Sequence, residues 1–111
     1  MSERALRVGR NEALFRQVNE QIDDLNRTLS QLGDRTIHIV CECGELACSQ
    51  VLVVPVAAYE RVRSDPARFF VVPGHELLDV EDVVEEHHDY YVVRKHSGVP
   101  EHVAAATDPR S

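Results

Sequence analysis

Three cysteines and one histidine carry the clearest chemistry in this 111-residue chain. Cys41, Cys43 and Cys48 lie within eight residues, in the stretch VCECGELACSQ. Thiolate sulfur is a preferred ligand of zinc, and a structural zinc site needs four ligands in a tetrahedron. The cluster therefore predicts a metal site and leaves one position for a nitrogen or oxygen ligand.

His75 is the first candidate for that fourth position. It follows a Pro-Gly pair in a predicted turn directly after a strand, so a rigid loop would present its imidazole. His38 is the second candidate because it lies three residues before Cys41, but strand alternation places it on the face opposite the first two cysteines. The pattern favours zinc, although three sulfurs and one nitrogen also suit iron. The predicted ligands are Cys41, Cys43, Cys48 and His75.

Redox chemistry and simple packing stay open as roles for the cysteines. In the cytosol, closely spaced cysteines are more often metal ligands or redox thiols than structural disulfides. A reversible disulfide would make the cluster a redox switch, although the neighbouring acids Glu42 and Glu45 are expected to raise the thiol pKa rather than lower it. The three side chains could also simply pack in the core, since free cysteine buries readily.

A long N-terminal helix over residues 3–32 is the largest element that the sequence predicts. Six apolar residues recur at steps of three and four, which is the spacing of one helix face: Phe15, Val18, Ile22, Leu25, Leu29 and Leu32. We expect this stripe to pack on the sheet of its own chain. Pairing with a second copy is the alternative, disfavoured because the flanking residues lack the charges typical of a coiled coil.

The remaining elements indicate an α+β fold in which the long helix packs on a small antiparallel sheet with a zinc-knuckle hairpin. β-Branched runs predict that the cysteines lie at the tip of a hairpin. A helix over residues 80–88 is the alternative to the last hairpin. Residues 1–96 are expected to form one domain, and 97–111 a disordered tail. The predicted strands cover 36–40, 50–54, 68–72, 80–86 and 90–95, with a short helix at 55–63.

Charge and hydropathy exclude several classes of partner. The net charge is −7, and residues 76–89 hold seven acidic residues with no Lys or Arg. Binding a nucleic-acid backbone requires clustered positive charge, so no nucleic-acid partner is expected. No window approaches the ~20 apolar residues of a membrane span. Residues 2–10 lack the apolar core of a signal peptide, so we expect a cytoplasmic protein.

Four motifs together resemble those of a family of small, largely uncharacterised bacterial proteins. They are IVCECG at 39–44 with Cys48, YERVR at 59–63, PARF at 66–69 and VPGH at 72–75. The family pattern couples a long N-terminal helix, a C-E-C-G…C knuckle, a P-G-H turn and a final Y-x-V-V strand, and the resemblance covers residues 3–95. Ala58 replaces the acid usual before Tyr59, and His88 replaces a small turn residue. The resemblance supports the site and implies no established activity.

The chain shows no catalytic motif beside the cysteines. H-E-x-x-H, H-x-E with C-x-x-C, G-x-S-x-G and a Gly-rich phosphate loop are all missing from the sequence. We therefore expect no enzyme but a structural zinc site in a protein-interaction or regulatory module, whose partner is a protein or a second copy bound through the N-terminal helix. The alternative is a thiol redox switch that releases zinc on oxidation. A small zinc hydrolase or transferase, with Glu42 or Glu45 as its base, is the third hypothesis.

Overall fold

The computed structural model of the chain describes residues 3–29 and 36–110. It confirms the α+β class. In chain order, the elements are α1 (Glu3–Leu29), β1 (Thr36–Val40), β2 (Val51–Pro55), α2 (Val56–Arg63), β3 (Arg68–Val71), β4 (Glu81–Glu86), β5 (Tyr91–Lys95) and α3 (Val99–Ala106). The predicted end of the long helix, residues 30–32, lies outside the described residues. None of the described helices is long and apolar enough to cross a bilayer.

The strands form two antiparallel sheets. β1 and β2 pair as a hairpin, with Ile37 opposite Val54 and Ile39 opposite Leu52. The second sheet has the order β3-β5-β4, so the predicted final hairpin is confirmed and the rival helix over 80–88 is wrong. The two sheets meet just after β1, where the backbone N–H of Glu42 donates to the carbonyl of Phe70 at 2.8 Å.

The apolar core has two parts that follow from strand alternation. The inward residues of β1 and β2 are buried with side chains of α2, β3 and β5. Within this part, Tyr59 stacks on Phe70 with ring centroids 5.7 Å apart. The second part contains Cys41 and Cys43, packed beside Phe69. The first two cysteines therefore lie at the end of the core rather than on an exposed hairpin tip.

The predicted inner face of α1 is wrong in part. Ile22 packs against the main core cluster and Phe15 is half-buried, but Leu25 is 58% exposed and Val18 is 36% exposed. The side chains of Leu29 and Leu32 lie outside the described part of the chain. The face that packs inward is largely polar, and the buried residues of the described part of α1 are Val8, Glu12, Arg16, Asn19, Glu20 and Asp23.

Specific hydrogen bonds fix this orientation of α1. The side-chain amide of Asn19 donates to the carbonyl of Val40 and accepts from its N–H, both at 2.8 Å, so it pairs with the edge of β1 as a neighbouring strand would. The guanidinium of Arg16 donates to the carbonyls of Pro66 at 2.6 Å and Ala104 at 2.8 Å. Buried polar groups are tolerated when they are hydrogen-bonded. These partners therefore decide which face of α1 turns inward.

The predicted disorder of residues 97–111 is wrong for 99–106, which form α3. Ala104 is buried, and a Cβ added to Gly9 of α1 would lie 2.9 Å from Cγ1 of Val103. The small residues that suggested disorder thus allow α3 to approach α1 closely. The guanidinium of Arg110 further on donates to the carboxylate of Glu20 at 2.5 and 3.0 Å. The packed part of the chain extends beyond residue 96.

Candidate metal centre

The structure brings the four predicted ligands together. One ligand atom from each of Cys41, Cys43, Cys48 and His75 lies within 4.8 Å of all the others. His75 Nδ1 is 3.7 Å from the sulfur of Cys41 and 3.6 Å from that of Cys48. A tetrahedral zinc with sulfur at about 2.3 Å and nitrogen at about 2.0–2.1 Å has a sulfur–nitrogen edge of about 3.6 Å. The four side chains could therefore hold one metal ion.

The β1–β2 hairpin supplies the three sulfurs from a loop that we call the knuckle, residues 41–48. The N–H of Cys41 donates to the carbonyl of Gln50 at 2.9 Å, so the β1–β2 pairing continues into the loop. The N–H of Cys48 donates to the carbonyl of Glu45 at 3.0 Å, which folds the second half of the loop back. His38 is exposed on β1 and is not one of the four clustered residues, as strand alternation predicts.

The turn after β3 supplies the imidazole. The N–H of His75 donates to the carbonyl of Val72 at 2.8 Å, which closes a β-turn with Pro73 and Gly74 at its centre. Gly74 has φ +96°, a left-handed conformation that glycine adopts without steric cost. Proline followed by such a glycine is the residue pattern of a type II turn. The predicted tight turn is thus confirmed, and residue type fixes the backbone that holds His75.

Gly44 has a different role from the one the sequence indicates. The C-x-C spacing suggests that it supplies unusual backbone dihedrals, but it has no positive φ. A Cβ at Gly44 would instead lie 2.5 Å from Cγ1 of Val8. The side-chain amide of Asn11 also donates to the carbonyl of Gly44 at 2.9 Å. Glycine is needed because the first turns of α1 pack directly against the knuckle.

Hydrogen bonds among the sulfurs favour a thiolate. The hydrogen bond between Cys41 and Cys43, together with burial, raises the pKa of Cys41 above its usual range. The same hydrogen bond lowers the pKa of Cys43 to about 5, and the backbone N–H of Glu45 lowers it further. The net pKa of Cys43 is therefore lowered by hydrogen bonding, whatever the direction expected from the neighbouring acids alone. A thiolate is the form in which cysteine binds a metal.

Glu42 lies between two ligands but serves another part of the molecule. Its side chain is fully buried, and its two oxygens accept from the N–H of Phe70 at 2.9 Å and from the amide of Asn19 at 2.7 Å. Burial raises the pKa of Glu42, against the opposing effect of Arg63. Because both oxygens bind elsewhere, Glu42 joins the knuckle to α1 and β3. Glu45, which is exposed, is the other base that the sequence offers.

A cavity of about 570 Å³ opens beside the cluster. Cys43 and His75 contribute to its wall, and the opposite wall comes from the first turns of α1, including Arg7 and Val8. Cys48 is also partly exposed, whereas Cys41 is buried. A small molecule therefore has access to one side of the four-residue cluster.

Next to the knuckle lies a buried-charge layer, which the sequence did not predict. Its centre is the Lys95 ammonium, which forms ion pairs with the carboxylates of Glu12 and Glu81, all almost fully buried. Burial raises the pKa of Glu12 to about 8, against the opposing effect of Lys95. The members of the layer are Glu12, Arg16, Glu42, Arg63, Glu81 and Lys95.

The cations of this layer surround one aromatic ring. The guanidinium carbon of Arg16 lies 4.5 Å from the centroid of Phe69, that of Arg63 lies 5.7 Å away, and the ammonium of Lys95 lies 5.6 Å away. Desolvated cations are attracted to the negative face of an aromatic ring. No local sequence signal marks this arrangement, because charged residues on a helix usually lie on a solvated face.

Comparisons with known protein families, with curated proteins and with solved structures give no match to this chain. The resemblance to the bacterial family therefore stays a prediction that depends on the cysteine motif and the P-G-H turn. The geometry of the cluster and its surroundings is the remaining guide to function.

Proposed function

We propose that Cys41, Cys43, Cys48 and His75 bind one structural zinc ion, and that the chain is a metal-stabilised protein-interaction or regulatory module. The observation that carries this proposal is the convergence of three sulfurs and one imidazole nitrogen within 4.8 Å of one another, with the sulfurs of Cys41 and Cys48 at tetrahedral distances from His75 Nδ1. A catalytic zinc keeps a position open for water, whereas four protein ligands are typical of a structural zinc. The donor set thus favours a structural role.

The position of the site supports that role. The ligands come from the knuckle and from the turn after β3, which are 27 residues apart in sequence at Cys48 and His75. One ion would join these two segments, and through Gly44 it would also hold α1 in place. Because a metal site of this kind does not exist in the unfolded chain, its binding free energy contributes directly to folding.

Second-sphere hydrogen bonds fit a bound ion. Three thiolates and one neutral imidazole around Zn²⁺ leave one net negative charge. The N–H of Val72 donates to the sulfur of Cys41 at 3.2 Å, and the N–H of Glu45 faces Cys43. Such donors offset the negative charge and orient the ligands.

Exposed apolar side chains support a protein as the partner. Leu46 at the knuckle is 62% exposed and lines the cavity, and Leu14 on α1 is 52% exposed. Leu14, Val18 and Leu25 share one side of α1, and grouped exposed apolar side chains are typical of protein-interaction sites, whereas single exposed residues are common everywhere. The net charge of −7 makes a basic or neutral protein surface a better partner than a nucleic acid.

A redox switch is the second candidate, and the cavity is the observation that favours it. Peroxide entering the cavity would reach Cys43, and Cys48 is partly exposed. Two thiolates would lose two electrons to form a disulfide, the peroxide would be reduced to water, and the metal would be released. We expect zinc loss under mild peroxide that a thiol reductant reverses. Unchanged metal content under peroxide would remove this candidate.

Metal analysis of the wild type beside His75→Ala tests the proposal. We expect about one zinc per wild-type chain and sharply reduced content or affinity in the variant. His38→Ala is the matched control, because that histidine is exposed and outside the cluster. Zinc retained unchanged by His75→Ala would indicate an open or differently completed site and would revive the hydrolase hypothesis. No metal in either protein would leave the cysteines as redox or packing residues.

A further inference from the structure

The outward face of α1 carries an apolar seam, which we define as Leu14, Val18, Gln21 and Leu25. Its members follow one another at steps of four, three and four residues, the spacing with which one helix contacts another in a coiled coil. Its three apolar side chains are all exposed, with Leu25 the most exposed at 58%. A helix with a charged inner face and an apolar outer face is the reverse of the usual arrangement.

The seam cannot turn inward within its own chain. Half a turn of rotation about the axis of α1 would break both hydrogen bonds between Asn19 and Val40. It would also remove Arg16 from the carbonyls of Pro66 and Ala104. The buried polar face therefore holds the seam toward solvent, where a partner can cover it.

We propose that two copies of this chain pair antiparallel through the apolar seam of α1. With Leu14 of one copy opposite Leu25 of the other, Val18 lies opposite Gln21, so each apolar end of the seam meets an apolar end. The centre of the seam holds glutamine rather than a charge. Its side chain meets Val18 of the other copy, and the two glutamine amides lie one step apart along the axis, where they carry donors and acceptors for each other. The seam is thus complementary to itself.

The charges at the ends of the seam favour the antiparallel orientation. Arg10 is exposed on α1 before the seam, whereas the exposed Asp24 lies beside its far end. A parallel pair would place Arg10 against its own copy. In the antiparallel pair, Arg10 lies about 7.5 Å along the axis from the partner's Asp24, within reach of a flexible arginine side chain. Electrostatic complementarity of this kind sets orientation more than affinity.

The length of the seam indicates a weak dimer. Residues 14–25 span about 17 Å along the helix, and each copy contributes three large apolar side chains. Stable complexes bury roughly 1,200–2,000 Å² in total, which a single short seam does not reach. We therefore expect association that depends on protein concentration rather than a permanent dimer.

Sedimentation equilibrium of the full, metal-loaded chain tests the proposal. The average mass should rise from the 12.5 kDa of one chain toward twice that value as concentration increases from micromolar to near-millimolar. The double variant Leu14→Gln/Leu25→Gln should stay monomeric over the same range. Its metal content and melting temperature should not change, because both side chains are exposed. Leu78→Gln, at a leucine that is 65% exposed outside α1, is the control and should associate like the wild type.

A charge exchange tests the orientation. Arg10→Asp should weaken association, and adding Asp24→Arg should restore it. A wild type that stays monomeric at every concentration would overturn the proposal, as would a double leucine variant that associates normally. An Arg10→Asp variant that associates like the wild type would overturn the antiparallel arrangement. Because metal content is measured on the same samples, failure of the dimer is distinguishable from failure of the zinc site.

Discussion

Two polar regions lie inside this small protein, and they meet at three consecutive residues. Cys41 and Cys43 direct their sulfurs to the four-residue candidate metal site, whereas Glu42 between them directs its carboxylate to the buried-charge layer. In the cluster, one ion would satisfy all four ligands at once. In the layer, the Lys95 ammonium from β5 is stabilised by carboxylates that come from two other elements, Glu12 from α1 and Glu81 from β4.

This difference teaches how the two regions depend on the rest of the fold. The cluster needs two turns held at the right spacing, and a bound metal would supply the remaining free energy. The layer needs α1, the knuckle, β4 and β5 in place together. Removing one partner from a buried ion pair leaves an uncompensated charge, which destabilises more than the pair itself stabilises. We therefore expect variants of the two regions to separate metal content from stability.

Cys43→Ser should have the largest effect, because it removes a ligand. Structural zinc binding contributes on the order of 10 kcal/mol or more, which is comparable to the total stability of a small domain. We expect most of the metal to be lost and the melting temperature to fall by at least about 15 °C. Metal analysis and thermal unfolding of the same samples check this. A variant as stable as the parent would contradict a structural metal.

Glu42→Ala should have the next largest effect, on stability more than on metal. It leaves the N–H of Phe70 and the amide of Asn19 without their carboxylate partner and removes a buried negative charge beside Arg63. Loss of one buried charged partner costs about 3–5 kcal/mol. Urea unfolding of the metal-loaded protein measures the change. Glu45→Ala, at an exposed position of the same knuckle, is the control, and an equal loss in both variants would refute the special role of Glu42.

Gly44→Ala should have a smaller and purely steric effect. The new Cβ would collide with Val8, and forced overpacking of this kind costs about 1–3 kcal/mol. The double variant Gly44→Ala/Val8→Ala should be less destabilised than the sum of its single variants, because the methyl groups in the way are removed. A double-mutant cycle of unfolding free energies checks this. Strict additivity would mean that α1 does not pack against the knuckle as described.

Glu12→Gln should change folding stability least of the four variants. Its effect should be small at acid pH and should grow as pH rises. The folded state raises the pKa of Glu12 from 4.5 to about 8. Between these values the unfolded chain releases a proton that the folded chain keeps, so ionisation increasingly favours unfolding. We expect the wild type to lose stability relative to Glu12→Gln from about pH 4.5 to about pH 8, with no further change above. Parallel stability profiles of the two proteins would contradict this assignment.

The sequence predicts the metal cluster well, and the physical reason is local. Cysteines are rare in this chain, and three of them within eight residues indicate a common partner. The Pro-Gly pair before His75 specifies its turn through backbone preferences that act within four residues. The strands that carry both segments follow from runs of β-branched residues, and all of them are found close to their predicted bounds.

The orientation of α1 could not be predicted in the same way. Its apolar stripe indicates an inward face. The orientation depends instead on the hydrogen bond between Asn19 and the backbone of Val40, and a backbone partner cannot be recognised from the pattern of side chains. The burial of Lys95 could not be predicted either. It is one of the few lysines or arginines buried in the described structure, and its partner Glu12 lies far away in the sequence. The helix at 99–106 could not be predicted, because its small residues indicate flexibility when the segment is considered alone. In the structure, the same small residues allow close packing beside Gly9.

X-ray absorption spectroscopy of the purified wild-type protein at the zinc edge tests the central claim most directly. It reports the ligand atoms and their distances without any substitution that could unfold the chain. The claim requires three sulfurs at about 2.3 Å and one nitrogen at about 2.0–2.1 Å around a single ion. A first shell dominated by oxygen and nitrogen, or a protein that binds no metal when supplied with it under reducing conditions, would contradict it.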